Sequence, residues 1–114
     1  MEKTAIVEFN TAEVQAWVEK YAKALEARPS LAWKGHDKLE LFKAWAGVQW
    51  GITDEEFEDA AMQGMLKFGM ILAEEQPDLD DDKTVALLLR LQIATIIIAV
   101  QDLALKKWGC WGVE

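Results

Sequence analysis

The stretch "TDEEFEDAAMQGMLKFGMILAEEQP", residues 53–77, decides the fold class. It opens with Thr53 and, three residues on, Glu56. In that pattern each side chain takes up a backbone donor that the first helical turn leaves unpaired. Ile52 before the start and Phe57 after it supply an apolar staple across the same turn. It closes at Gln76-Pro77, because a proline ring cannot continue a helix. Between these marks, 100° per residue puts Phe57, Ala61, Met65, Phe68 and Leu72 on one face. The spacing predicts a helix over 54–75.

The same start signal recurs twice. Asn10 with Glu13, stapled by Phe9 and Val14, predicts one helix; Asp37 with Glu40, with His36 against Leu41, predicts another. Arg28-Pro29 and Trp50-Gly51 mark their ends. A fourth helix runs to Lys106 and Lys107, whose charges suit the carbonyl end of the helix dipole, and Gly109 follows. Only "TAIVEF" (4–9) looks extended, and it has no strand partner. The expected architecture is an all-α four-helix bundle, with helices at about 11–27, 37–50, 54–75 and 83–107. A short extended N-terminal arm precedes it and an aromatic C-terminal tail follows, the whole forming a single domain over 1–114.

Bulk properties narrow the function. Of 114 residues, 52% are apolar, enough for a packed core. The formal charge is −8, and all of it arises after residue 50, since acids and bases balance before that point. Such a surface repels phosphates, and no basic stripe offsets it, so direct nucleic-acid binding is not expected. The apolar run "VALLLRLQIATIIIAV" (85–100) is interrupted by Arg90 and followed by Asp102. Its uncharged core is too short for a membrane, and a core helix is expected instead. Cys110 is the only cysteine, and no basic-then-apolar leader opens the chain, so a reducing, cytoplasmic setting is expected.

Helix one, with Val14, Trp17, Val18, Tyr21 and Leu25 on one stripe, has a single apolar face. The others have more. Met62, Leu66, Met70 and Ala73 oppose the main apolar face of 54–75. Leu41, Trp45 and Val48 oppose Leu39, Phe42, Ala46 and Trp50. The fourth helix is apolar nearly all round, as a central bundle element would be. This surplus exceeds what one small bundle hides, and surplus of that size marks an interface with another protein or a second copy, a homodimer included. Ala60 and Gly64 suit close helix packing inside the bundle. The contact residues expected are Met62, Leu66 and Met70, joined by Trp108 and Trp111 of the aromatic tail.

Two acidic runs invite other chemistry. One is Asp54, Glu55, Glu56, Glu58 and Asp59; the second is Glu74, Glu75, Asp78, Asp80, Asp81 and Asp82. Asp78, Asp80 and Asp82 have the opening spacing of a calcium loop. Lys83 stands where that loop needs glycine, though, and Leu89 where it needs a bidentate glutamate. Both runs lie at helix N-termini, which favour carboxylates for structural reasons. Their surplus keeps open an acidic decoy that occupies a nucleic-acid-binding protein, for example one a virus encodes against host defences. His36 is the only histidine and would be the centre of any enzyme, with Cys110 as a distant partner. Zinc, haem and iron–sulfur sites lack ligands, so no cofactor is expected. Asp102, on an apolar stretch, is expected to pair with a base across the bundle. The leading expectation is a small non-catalytic protein that binds another protein as accessory subunit, adaptor or inhibitor.

Overall fold

A computed structural model describes the backbone of residues 2–109 and the side chains of residues 12–109. Four helices follow one another: α1 (Glu2–Glu26), α2 (Pro29–Trp50), α3 (Asp54–Glu75) and α4 (Asp82–Trp108). There is no strand among the described residues. The architecture is an all-α four-helix bundle, flattened to 44 × 44 × 20 Å.

Local chemistry sets α3 as expected. Glu56 N donates to Thr53 Oγ1 at 3.1 Å and Thr53 N donates to Glu56 Oε1 at 2.9 Å. Ile52 and Phe57 are both buried beside this cap. The helix ends where Gln76 turns left-handed (φ 46°) and its N–H reaches Leu72 O, just before Pro77. Asp81 caps α4 through Thr84 N at 2.9 Å and Thr84 Oγ1 at 2.7 Å.

Three boundaries differ from expectation. Residues 4–9 are helical, not extended, so Asn10 lies inside α1 rather than at its start. Continuing the helix pairs the backbone groups of this segment internally, which an extended arm with no strand partner leaves to water. The second helix starts at Pro29 rather than at 37. Proline suits a first helical position, where its missing N–H has no partner to lose. Asp37 and His36 therefore lie mid-helix, without capping or stapling roles, and His36 is exposed and stacks on Trp33, 5.9 Å between centroids. At the other end α4 includes Trp108, which the sequence assigned to the tail.

α3 and α4 form the most extensive pair; α1 packs mainly on α3 and α2 mainly on α4. A Cβ on Gly64 would lie 2.8 Å from Ile96 Cα and 2.8 Å from Thr95 O, so glycine lets α3 and α4 touch backbone to backbone. Ala60 is buried on the same side, as internal packing requires. Two apolar clusters result. Ala46, Ile52, Phe57, Ala60, Ile96, Val100 and Ala104 unite α2, α3 and α4. Tyr21, Phe68 and Leu72 unite α1 and α3, and Met65 packs against both clusters.

α4 is not the fully enclosed element its sequence suggested. Leu87 and Ile98 face solvent, because a flat bundle leaves every helix one open side. By length and a mean hydropathy of 1.9, α4 is apolar enough to cross a membrane. Its residues Val85, Leu89, Ile96, Val100 and Ala104 are also core residues of the bundle, and core helices share that composition. Asp102 is exposed and makes no ion pair among the described residues.

Candidate functional site

The outer face of α3 carries the row expected from the sequence. Met62 is 72% exposed, Leu66 53% and Met70 46%. Met62 and Leu66 form one side of a groove. Its other side is α1, because Gly69 has no side chain: a Cβ there would stand 2.5 Å from Val14 Cγ1 and 2.8 Å from Val18 Cγ2. α1 thus lies close against α3, and Val14, Val18, Met62, Met65 and Leu66 line a largely apolar groove of about 650 Å³. A separate, smaller hollow lies on the other flank of α1, beside Glu13, Met70, Ala73 and Glu74, and shares only Val14 with it.

The described charges at the edges of both hollows have one sign. Asp59 borders the first hollow; Glu13 and Glu74 border the second. Among the described residues no base lines either hollow, and Lys67, the only base on α3, is not part of the lining.

Trp108 is not brought into this groove. Its indole N–H donates to Trp50 O at 2.7 Å, beside the α2–α3 turn. Lys107 Nζ donates to Gly51 O and to Glu56 Oε1, both at 2.9 Å. The two residues clamp the end of α4 onto that turn, while one face of Trp108 stays open. Trp111 and Cys110 lie outside the described residues.

The acidic runs divide into engaged and free carboxylates. Asp78 Oδ1 accepts from Asp80 N at 3.0 Å, which tightens the α3–α4 turn. Asp82 Oδ1 accepts from Arg28 Nε at 2.8 Å. The same guanidinium donates to Ala24 O and Asp80 O, so one arginine ties the end of α1 to the turn before α4. Thr84 hydrogen bonds, hydroxyl foremost, hold the Asp81 carboxyl below the usual carboxylate range. The Thr53 amide, then Lys107, does the same for Glu56. Asp54 is 4.0 Å from Lys43. Glu55, Glu58, Asp59, Glu74, Glu75 and Asp80 are exposed and make no ion pair among the described residues.

A second apolar face lies on the outside of α2. Leu41, Trp45 and Val48 are exposed there, with Trp33 a few turns earlier. Trp45 is held edge-on against Trp50 at 4.8 Å and stacked near Phe42 at 6.0 Å, so its outer surface is presented by a rigid aromatic group.

The sequence identified the Met62 and Leu66 side of the groove but not the Val14 and Val18 side, whose valines were read only as core. A glycine inside an otherwise apolar helix, Gly69, was the available signal for close docking of another helix. Among the described residues no group of three or more His, Cys, Asp or Glu is placed to hold a metal ion. No protein-family model matches the chain, and neither a curated protein nor a solved structure matches it.

Proposed function

We propose that this chain is a small, acidic, non-catalytic protein that binds another protein, as accessory subunit, adaptor or inhibitor, through the α1–α3 groove. The observation that supports it is the row Met62, Leu66 and Met70, exposed on a folded helix, of which Met62 and Leu66 line an apolar groove. Large apolar side chains kept together in water are a standing cost unless another surface covers them. Methionines adapt readily to a partner's shape. An acidic decoy has less behind it, because Glu56, Asp78, Asp81 and Asp82 are engaged in caps, a turn and ion pairs within the fold.

The test is comparative capture from native extract with the unaltered protein, Leu66→Glu, and Asp80→Asn/Glu75→Gln. Leu66 is more than half exposed, so its replacement leaves the melting temperature within a few degrees. A protein retained by the first and third but lost from Leu66→Glu is the expected result. Identical retention by all three eliminates the groove. Loss only from the acidic variant, steepened by salt, favours the decoy.

A further inference from the structure

We infer that the hollow between α2 and α4 binds an anionic amphiphile: a phosphate, sulfate or carboxylate head on a single hydrocarbon chain. The site is separate from the α1–α3 groove and does not rest on the role proposed for that groove. It forms where the buried Gly35 of α2 sits on Leu89 of α4, so closely that a Cβ would stand 2.7 Å from Leu89 Cδ1. Leu31, Ala86, Leu89 and Ile93 give it an apolar floor. Lys34, Lys38 and Arg90 stand round that floor, and no acid is part of the lining among the described residues. The described part of α1 meets α4 elsewhere, through Leu88, Leu91 and Gln92. The hollow holds about 270 Å³, below the roughly 300–1,000 Å³ of sites for drug-sized ligands. It has room for a head and the first part of a chain.

Charge selects the head. Acids outnumber bases by twenty to twelve in the chain, and Arg28, Lys43 and Lys107 each have a carboxylate partner. Lys34, Lys38 and Arg90 are exposed and have none among the described residues. Lys34 and Lys38, four residues apart on one helix, repel each other, and Arg90 adds a third positive charge from α4. An anion held among the three relieves that repulsion. The planar arginine fork also fits two oxygens of a phosphate or carboxylate.

Apolar surface selects the tail. A bare anion gains nothing from Leu31, Leu89 and Ile93, and a neutral hydrocarbon gains nothing from three cations. One molecule carrying both parts satisfies both. The spacing 34, 38, 41, 45 is one face of a helix, and Leu41 and Trp45, 65% and 47% exposed, continue the lysine face along α2. Lys38 to Trp45 is about 10 Å of helix. A chain leaving the hollow in that direction covers apolar surface otherwise open to water.

The experiment titrates the full chain, labelled at isoleucine and methionine methyl groups, with dodecyl phosphate below its micelle threshold, dodecyltrimethylammonium and inorganic phosphate. Ile93 reports on this hollow and Met62 on the α1–α3 groove. Dodecyl phosphate should shift the Ile93 methyl to saturation and leave Met62 unmoved. Inorganic phosphate should bind at least about tenfold more weakly, because it buries no apolar surface. The cationic detergent should not move Ile93, although a net charge of −8 attracts cations to the surface as a whole. Lys38→Gln/Arg90→Gln replaces two exposed side chains and should keep the melting temperature within a few degrees. It should weaken dodecyl phosphate about fivefold at low salt and less at high salt. Leu41→Gln should weaken dodecyl phosphate and leave inorganic phosphate unchanged.

Flotation with phosphatidylcholine vesicles, with and without phosphatidylglycerol, separates two sources of such a head. Retention by the anionic vesicles alone, lost in Lys38→Gln/Arg90→Gln, supports the site with a membrane lipid as its ligand. No retention, with dodecyl phosphate bound, supports it with a free amphiphile. An unmoved Ile93, equal shifts by the anionic and cationic detergents, or unchanged affinity in the double variant overturns the inference. So does equal binding of dodecyl phosphate and inorganic phosphate, which leaves a plain anion site, or a shift confined to Met62, which puts the chain in the other groove.

Discussion

Gly69 and Val14 touch so closely that a single added methyl would stand 2.5 Å from Val14 Cγ1. This contact seats α1 on α3 and creates the groove. Three helical glycines differ in what a Cβ would meet, which predicts a graded series. At Gly64 it meets backbone, Ile96 Cα and Thr95 O, neither of which can move away. At Gly69 it meets two valine methyls, on side chains with little rotamer freedom. At Gly35 it meets the ends of the Leu89 side chain, at 2.7 Å and 3.2 Å, which can turn aside. Glycine-to-alanine replacement gains about 1 kcal/mol of helix propensity, against an overpacking cost of about 1–3 kcal/mol. Gly35→Ala should be near neutral, Gly69→Ala destabilising by about 1 kcal/mol, and Gly64→Ala by about 2 kcal/mol or more. Denaturant titration gives the order, and Gly64→Ala matching Gly35→Ala would contradict the close α3–α4 approach.

Arg28 joins α1 to the turn before α4 by three donated hydrogen bonds, only one of them to a carboxylate. Its side chain is 20% exposed, whereas that of Asp82 is 88% exposed. The ion pair alone is therefore heavily screened. Asp82→Asn should cost less than about 0.5 kcal/mol. Arg28→Ala, which also loses two bonds to carbonyls and the packing of its stem, should cost about 1–2 kcal/mol. Arg28→Lys should recover little, because an ammonium cannot reproduce the planar fork. A double-mutant cycle separates the two contributions.

How far the sequence was legible depends on where each determinant lies. α3 could be read end to end because Thr53, Glu56 and Pro77 act within a few residues of themselves. The start of α2 could not, since Asp37 and Glu40 imitate a cap while Pro29 begins the helix. Gly35, which a local reading takes for a turn, sits instead against Leu89 of α4. Likewise the partner of Asp82 among the aspartates before α4 is Arg28, 54 residues away, which no local pattern shows. The exposed row on α3 followed from angle alone. The opposite wall required knowing which helix Gly69 admits.

Acid should weaken the fold through two caps. Glu56 and Asp81 are both held below their ordinary values of 4.5 and 3.8, because the hydrogen bonds donated to each, from the Thr53 amide and Lys107 and from Thr84, favour the charged carboxylate. A depressed folded-state value means stability that is present above the unfolded value and lost as pH falls through the folded one. Unfolding free energy should thus hold steady down to about pH 5 and decline below about pH 4. Glu56→Gln/Asp81→Asn should be less stable at neutral pH and show a shallower acid decline. An unchanged slope in that variant would mean that other carboxylates dominate acid unfolding.

Tyr21, the only tyrosine, makes the alkaline limb equally readable. Its ring is buried edge-on against Phe68 at 4.9 Å, and its hydroxyl donates to Gln92 Oε1 at 2.8 Å. Gln92 in turn donates to Met65 Sδ at 3.1 Å, so one amide links α1, α3 and α4. Burial pushes the phenol far above its ordinary value of 10.0. A raised value for a group buried in its neutral form gives stability that is complete below the unfolded value and lost as pH rises above it. Phenolate absorbance should accordingly appear only together with unfolding, not as a separate titration near pH 10. Tyr21→Phe should cost about 1 kcal/mol at neutral pH, leaving Gln92 Oε1 without its donor, and should flatten the alkaline decline. Phenolate forming near pH 10 with the far-ultraviolet helix signal intact would show that the α1–α3 seam opens to solvent, and the groove wall with it.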